Sequence, residues 1–455
     1  MKIFMHYARK ISVLLSVGTL LVFSGHSLAA PKIQSWQTSQ GSAVYFIESN
    51  ALPMFDLHIS WPAGQAYDPD DKMGLASLTV GMLSAGAGPL SESQIADKLA
   101  DVGAVLNTGA DEDRSFISLR TLSYETERAQ AMEVLQTLIA QPSFPEDILA
   151  REKDRTIVAL KEALTKPGTL AAQAWLKTAY AQHPYGKIDT PESIARITRE
   201  DLAQFYQTRY RAAQATITLV GKLSREEATT LAERLSNALP KGQKVPTELP
   251  SPKLVQQSQT HIANPSNQTH IILGMPGMSR EDPDYYSLLV GNYILGGGGF
   301  VSRLMKEVRE KRGFAYSVNS SLEPLLVPGP FQINLQTKGT QRDEALRVSL
   351  ETLQQFINKG PTQEELKAAK DNYVNGFGLR LDSNKKLISY LDIIAFYRLP
   401  LDWLERYPQE VAKLTASQVQ DAFKRRIDPA HFVIVTAGGE ADVATPVEAS
   451  TPSSK

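Results

Sequence analysis

Ile194-Ala195-Arg196-Ile197-Thr198 returns 217 positions later as Val411-Ala412-Lys413-Leu414-Thr415, and at the same offset Gly221 returns as Gly438. Each copy continues into a polar helical stretch and then a β-branched run, 215–221 and 432–438. The start of the repeat is visible too. Trp61-Pro62-Ala63-Gly64 followed by Asp68-Pro69-Asp70 corresponds to Gly274-Met275-Pro276-Gly277 followed by Asp282-Pro283-Asp284. So long a period excludes a solenoid, whose units are a few tens of residues. It calls for two homologous halves of about two hundred residues, each able to bury a core.

Within the first half, 43–48 and 55–61 read as strands, 72–84 and 92–102 as helices, and 105–110 with 115–122 as paired strands, the latter alternating by side. Helices are expected at 125–140, 145–164, 170–181 and 199–206, ahead of the closing strand. This order fits an α+β fold in which each half is an antiparallel sheet with helices packed on one face. Between the halves, 239–252 contains four prolines with Lys, Gly, Gln and Thr. Such a composition builds no core and suits an extended linker, leaving the halves tethered yet able to move. The expected domains are therefore 30–238 and 253–439, followed by a tail, 440–455, of Ala, Thr, Ser, Pro and Glu without periodicity, expected to be disordered.

The first residues read as a secretory signal peptide, 1–29. Lys2, Arg9 and Lys10 precede an apolar run, 11–23, and a small-residue stretch ending at Ala29-Ala30. The run is short for a membrane span, and without Cys the chain has no lipid attachment site or disulfide. A soluble periplasmic protein with no stable membrane anchor after cleavage is expected. Losing the signal turns 48 basic against 49 acidic residues into 45 against 49, a net charge of −4. With no basic surplus and no basic run interleaved with aromatics, nucleic acid is not an expected partner.

Several segments, in order, resemble the pitrilysin/insulinase superfamily of zinc peptidases, in the short branch that includes mitochondrial processing peptidase. In the first half these are Ala63-Gly64, Gly74-Leu75-Ala76, His183-Pro184-Tyr185-Gly186, and 193–205 with the strand ending at Gly221. In the second they are 295–299 followed by Phe300-Val301-Ser302-Arg303-Leu304, then Val308-Arg309-Glu310-Lys311-Arg312-Gly313-Phe314-Ala315-Tyr316. The resemblance covers nearly all of 46–438 and implies that the halves form a clam-shell pair.

In such peptidases a helix carries His-x-x-Glu-His, two zinc ligands four apart with a general base between them. The resemblance puts those positions at Ser77, Val80 and Gly81, none of which binds zinc or moves a proton. The five His of the mature chain, at 58, 183, 261, 270 and 431, include no pair three to five residues apart. No cofactor is expected in this chain. The family's third ligand falls around 160–162, where Glu162 reads as an ordinary solvated carboxylate. His183 reads as the anchor of a loop.

The second half differs. A helix over 300–311, a left-handed ending at Gly313 and a strand beginning at Tyr316 would bring Arg309 and Tyr316 together. In active relatives the matching residues reach the zinc site and hold the substrate carbonyl and developing oxyanion, work suited to a guanidinium and a phenol. The bland alternative is an Arg satisfying helix-end carbonyls beside a packing Tyr. Lys306, Lys311 and Arg312 read as a solvated basic face. The run Gly296, Gly297, Gly298 and Gly299 is either a flexible loop admitting a peptide or a tight helix start. With no Lys-Ser/Thr after it, a nucleotide loop is excluded. The strand with Asn107 corresponds to the edge where relatives add substrate as an extra strand.

These features point to the zinc-less subunit of a heterodimeric metallopeptidase. Its partner would be a related chain with an intact His-x-x-Glu-His helix, holding the zinc and cutting a peptide substrate. The alternative is a structural or peptide-binding scaffold subunit. A hydrolase using Ser77 is disfavoured because no His partners it.

Overall fold

The computed structural model describes residues 31–439; the expected signal peptide and tail lie outside them. The first half contributes β1 (Gln34–Gln37), β2 (Ala43–Glu48), β3 (Met54–Trp61), the small hairpin of β4 (Gly86–Ala87) and β5 (Leu90–Ser91), then β6 (Val105–Ala110), β7 (Ser115–Leu122) and β8 (Thr216–Gly221). The second contributes β9 (Ser258–Ile262), β10 (Gln268–Pro276), β11 (Ala315–Leu322), β12 (Pro330–Lys338) and β13 (Val433–Ala437). The large sheets run β1-β2-β8-β3-β7-β6 and β9-β13-β10-β12-β11. Apart from β1 the two orders are identical, so the sequence repeat is a repeat of topology.

Local chemistry repeats with it. Thr198 and Thr415 each cap a helix through a reciprocal box, with Asp201 and Gln418 respectively. Gly221 and Gly438 each end the closing strand at positive φ, +147° and +110°. A Cβ there would lie 2.4 Å from the Phe55 Cα or 2.1 Å from the Gln268 carbonyl oxygen. Only glycine fits both demands.

The all-antiparallel sheet expected from the sequence is corrected at one pair in each half, since β2–β8 and β9–β13 are parallel. The closing strand returns from the helical region and inserts antiparallel to β3 or β10, which leaves it parallel to the strand on its other side. A parallel neighbour needs a long crossover, and the intervening helices supply it.

The helices are not confined to one face either. Phe55, Leu57, Ile59 and Trp61 of β3 are fully buried in the core of their own half, where Glu125–Ala140 and Leu75–Gly81 pack on the sheet. The opposite face, with His58 and Ser60, is covered by the helix Asn384–Phe396 of the second half, whose Asp392 accepts from Ser60 Oγ at 3.2 Å. Reciprocally, Pro167–Ala179 of the first half lies on β10 and β13. Its Trp175 is fully buried and donates Nε1–H to the Val433 carbonyl at 3.1 Å. Pro167 starts that helix where a missing N–H costs nothing. Each half thus lends the other a helix, and the lent helices start 217 residues apart, at Pro167 and Asn384.

The tether 239–252 has no helix or strand, as expected, but it is fastened. Arg209 Nη1 donates to the Pro246 carbonyl at 3.0 Å, Tyr67 OH to that of Thr247 at 2.7 Å, and Val245 N to Gln214 Oε1 at 3.0 Å. These bonds fasten the tether to the first half, where the sequence suggested a loose linker. Where the halves meet, the buried Asp113 of the β6–β7 turn accepts from Tyr185 OH, from Tyr397 OH at 2.9 Å and from the Leu326 N–H at 2.9 Å. Burial pushes its carboxyl above the usual range, and these donors only partly offset that. Among the described residues no helix is long and apolar enough to cross a membrane.

Candidate functional site

Two backbone irregularities converge on Arg309 and Tyr316. The helix expected over 300–311 is corrected: Met305–Glu310 is a π-helical turn, closed by Lys311 N–H to the Lys306 carbonyl at 3.0 Å. A second π-turn, Tyr293–Gly297, precedes it. Each π-turn accommodates one residue more than an α-turn and rotates the chain beyond it. Gly313, at φ +65°, then ends the turn in the left-handed conformation, as expected.

At the start of β11 the pairing to β12 passes from Ala315–Thr337 to Ser317–Gln336, so Tyr316 is the extra residue of a bulge. A bulge on an edge strand re-aims a side chain, and Tyr316 is 83% exposed. The Arg309 guanidinium carbon stands 5.0 Å from the ring centroids of both Tyr316 and Phe300. Phe300, itself 65% exposed, therefore completes an aromatic-guanidinium-aromatic stack that the sequence reading missed. Arg309 has no carboxylate partner among the described residues. Its neighbours do: Lys311 and Arg312 bind Glu307 at 2.7 and 2.9 Å.

The glycine run divides. A Cβ on Gly296 would lie 2.4 Å from Ser320 N of β11, one on Gly297 2.9 Å from Asn292 Nδ2, and one on Gly298 2.7 Å from the Tyr293 carbonyl oxygen. These three serve close packing around their own π-turn, the tight-start alternative. Only Gly299, at φ +61° with nothing within 4 Å, faces open space.

In the first half Gly74, at φ +98°, opens the helix Leu75–Gly81. Asp68 caps it, accepting from the N–H groups of Gly74 and Ala76 at 2.8 Å each. Burial pushes the Asp68 carboxyl up to about 7 despite these bonds. Ser77 and Gly81 are exposed on one face and line a cavity of about 250 Å3, whereas Val80 is buried. The expected neighbour of this helix needs correcting. Glu162 is exposed and pairs with Lys166 at 3.0 Å, while Glu152 and Thr156, two to three turns earlier in the helix Glu146–Ala163, line the cavity. Glu152 is itself held by Arg151 at 2.9 Å and Arg155 at 3.1 Å. Asn107 is exposed on β6, the sheet edge beside this helix, opposite Ser118. His183 anchors a loop: Nδ1 accepts from Tyr185 N at 3.1 Å and Nε2 donates to the Pro250 carbonyl at 2.7 Å. Among the described residues no three His, Cys, Asp or Glu side chains are grouped so as to hold a metal ion.

The structure thus joins Arg309 with Tyr316, and Ser77 with Gly81, in opposite halves. The fold is a duplicated α+β shell, and Ser77, Val80 and Gly81, where the resemblance puts two zinc ligands and a general base, offer no imidazole or carboxylate. Residues 53–188 match the family described as "Insulinase (Peptidase family M16)", and 196–373 match "Peptidase M16 inactive domain". The crystal structure of a peptidase M16 inactive domain from Pseudomonas fluorescens is 37% identical, with a TM-score of 0.86 over 90% of this chain and 98% of that one. A protein of Helicobacter pylori named "Non-peptidase homolog YmxG" is 25% identical over 425 residues, 92% of this chain and 97% of the relative. The periplasmic protease PqqL of Escherichia coli shares the fold at 18% identity, with a TM-score of 0.77 over 90% of this chain and 46% of that one. The chain belongs to the peptidase M16 family, as a member without the zinc-binding motif.

Proposed function

We propose that this chain is the noncatalytic subunit of a heterodimeric zinc metallopeptidase of the periplasm. A related subunit with an intact His-x-x-Glu-His helix holds the zinc. Arg309 and Tyr316 of this chain reach that site, where they hold the peptide carbonyl and the oxyanion that develops on attack. The observation that carries this reading is the Arg309 guanidinium, stacked between Phe300 and an 83% exposed Tyr316 and without a carboxylate partner among the described residues. Preorganised donors of this kind help most where negative charge grows. An arginine that merely satisfied its own helix end needs no exposed aromatic pair around it.

The test begins with tagged protein isolated from its native host and identification of what accompanies it. The expected companion is a paralogue with the zinc motif. The pair should cut peptides in a chelator-sensitive way, and this chain alone should not. Arg309→Ala or Tyr316→Phe in the pair should lower kcat by on the order of a hundredfold while assembly persists. Chelator-sensitive activity of the isolated chain would sink the proposal. An active pair indifferent to both substitutions would leave the scaffold reading in its place.

A further inference from the structure

A cleft of about 280 Å3 opens where the first half, the tether and the second half meet, and three cations line it. Lys244 comes from the tether, Arg280 from the loop after β10, and Arg398 from just beyond the helix lent to the first sheet. None of the three has an ion-pair partner among the described residues, unlike Arg114, Arg303 and Arg426, which bind carboxylates at 2.5 to 2.9 Å. Against them the cleft has one lining carboxylate, Glu281. Like charges gathered with so few counterions repel one another.

Two details show that these residues are held there against local preference. Arg280 lies over the Tyr397 ring at 4.9 Å, yet its Nε–H is buried and has no acceptor. A buried donor left unpaired is unfavourable and uncommon. Glu323, whose charge Arg280 feels, is pushed above the usual carboxylate range by burial and by Asp111.

Arg398 adopts φ +53° at the end of its helix, where Leu399 N–H bonds back to the Ile394 carbonyl at 2.8 Å. This is the left-handed position that glycine ordinarily fills. An arginine there is strained, and strain of this sort gathers at binding sites.

We propose that this junction cleft binds a small dianion, carboxylate or phosphate, through Lys244, Arg280 and Arg398. Thr247 is part of the cleft wall, and Phe396 with Leu326 gives an apolar side for the body of an organic acid. Three cations against one lining carboxylate, Glu281, leave the cleft wall positive, as binding of an anion requires. Because the contacts come from both halves and the tether, the ligand fastens the three together.

The full chain, at constant ionic strength, is titrated with succinate or with inorganic phosphate against chloride, following heat and the thermal midpoint. At least one of the two should raise the midpoint saturably, and the responding arm tells carboxylate from phosphate. Arg280→Met and Arg398→Gly should each weaken that anion at least about tenfold, as expected for loss of a charged hydrogen bond. Arg398→Gly should fold at least as stably as the parent without ligand, because glycine accepts the left-handed conformation. No saturable response to either anion overturns the proposal. So does a response that Arg398→Gly leaves unchanged.

Discussion

Arg114 Nη1 of the first half and Asp392 Oδ2 of the second lie 2.5 Å apart, on the face of the first sheet covered by the lent helix. Asp392 also accepts from Ser60 and stands 3.8 Å from His58 Nδ1. Burial alone would raise its carboxyl, but Arg114, with His58 and Ser60, holds it below the usual range. The pair is the electrostatic seam of the helix exchange. Arg114→Met should cost about 3–5 kcal/mol, since it strands a buried charge, whereas Arg114→Met with Asp392→Leu should recover a large part of that. Urea unfolding of the full chain measures both, and a double variant no better than the single one would refute the seam.

Glu112, next to these residues, supplies a pH dependence of opposite sign. Burial pushes its carboxyl from 4.5 up to about 7. Between those values the folded chain keeps a proton that the unfolded chain has released. Stability is therefore full below about 4.5 and falls as pH rises through about 7, by on the order of 1–3 kcal/mol in all. Glu112→Gln should remove this contribution and leave the variant more stable than the parent at about pH 8. Urea midpoints across the range decide it, and an unchanged slope in the variant counts against it.

Phe300 should act through Arg309. In the proposed heterodimer, Phe300→Leu is expected to lower kcat by roughly threefold to thirtyfold with KM little changed, the worth of one cation–π contact. Phe300→Tyr, which keeps the ring, should restore most of it. Steady-state kinetics on both variants separates this from a role in substrate affinity, which would move KM first.

The two repeat glycines should be the least replaceable. Gly221→Ala and Gly438→Ala combine positive φ with a backbone clash and should each cost roughly 3 kcal/mol or more. Gly103→Ala, at φ +62° with nothing within 4 Å, carries the strain alone and should cost about 1–2 kcal/mol. Thermal or urea unfolding of the three, side by side, tests whether the close backbone approach matters beyond the dihedral angle.

Ser77→His with Gly81→His should create a zinc site that the parent lacks. The two positions share an exposed face four residues apart, and nothing lies within 4 Å of a Cβ at Gly81. Glu152, on the same cavity, is the available third donor. Metal content after dialysis should rise toward one zinc per chain and drop again with Glu152→Ala. Without the general base at the buried Val80, hydrolysis should not accompany it.

The repeat made the duplication of the fold legible, because Gly221 and Gly438 mark the same strand end in each half, but the sheet order with its parallel pairs was not. The Arg309/Tyr316 convergence was legible from the Gly313 ending and the strand after it. The π-turn and the bulge that bring it about were not, because an extra residue in a turn leaves no periodic trace. Nor was the helix exchange. The polar alternation of His58 and Ser60 resembles a solvated face, and only the fold reveals Asp392, more than three hundred positions away, lying over it. Glu162 is the solvated carboxylate it reads as, whereas Glu152 was missed because counting along a helix cannot say which turn meets a distant partner.

The lent helices also fix an order of events. β13 comes near the end of the described chain yet lies between β9 and β10, so the second sheet has an empty middle until residues 433–437 exist. The first sheet, whose strands are complete by Gly221, waits for a cover that begins at Asn384. As the chain emerges from its N-terminus, the first sheet gains its cover only once 384–396 have been made, and the second sheet is filled only once 433–437 have. A truncation between residues 338 and 384 should therefore leave two unfinished halves, not one sound half and one missing.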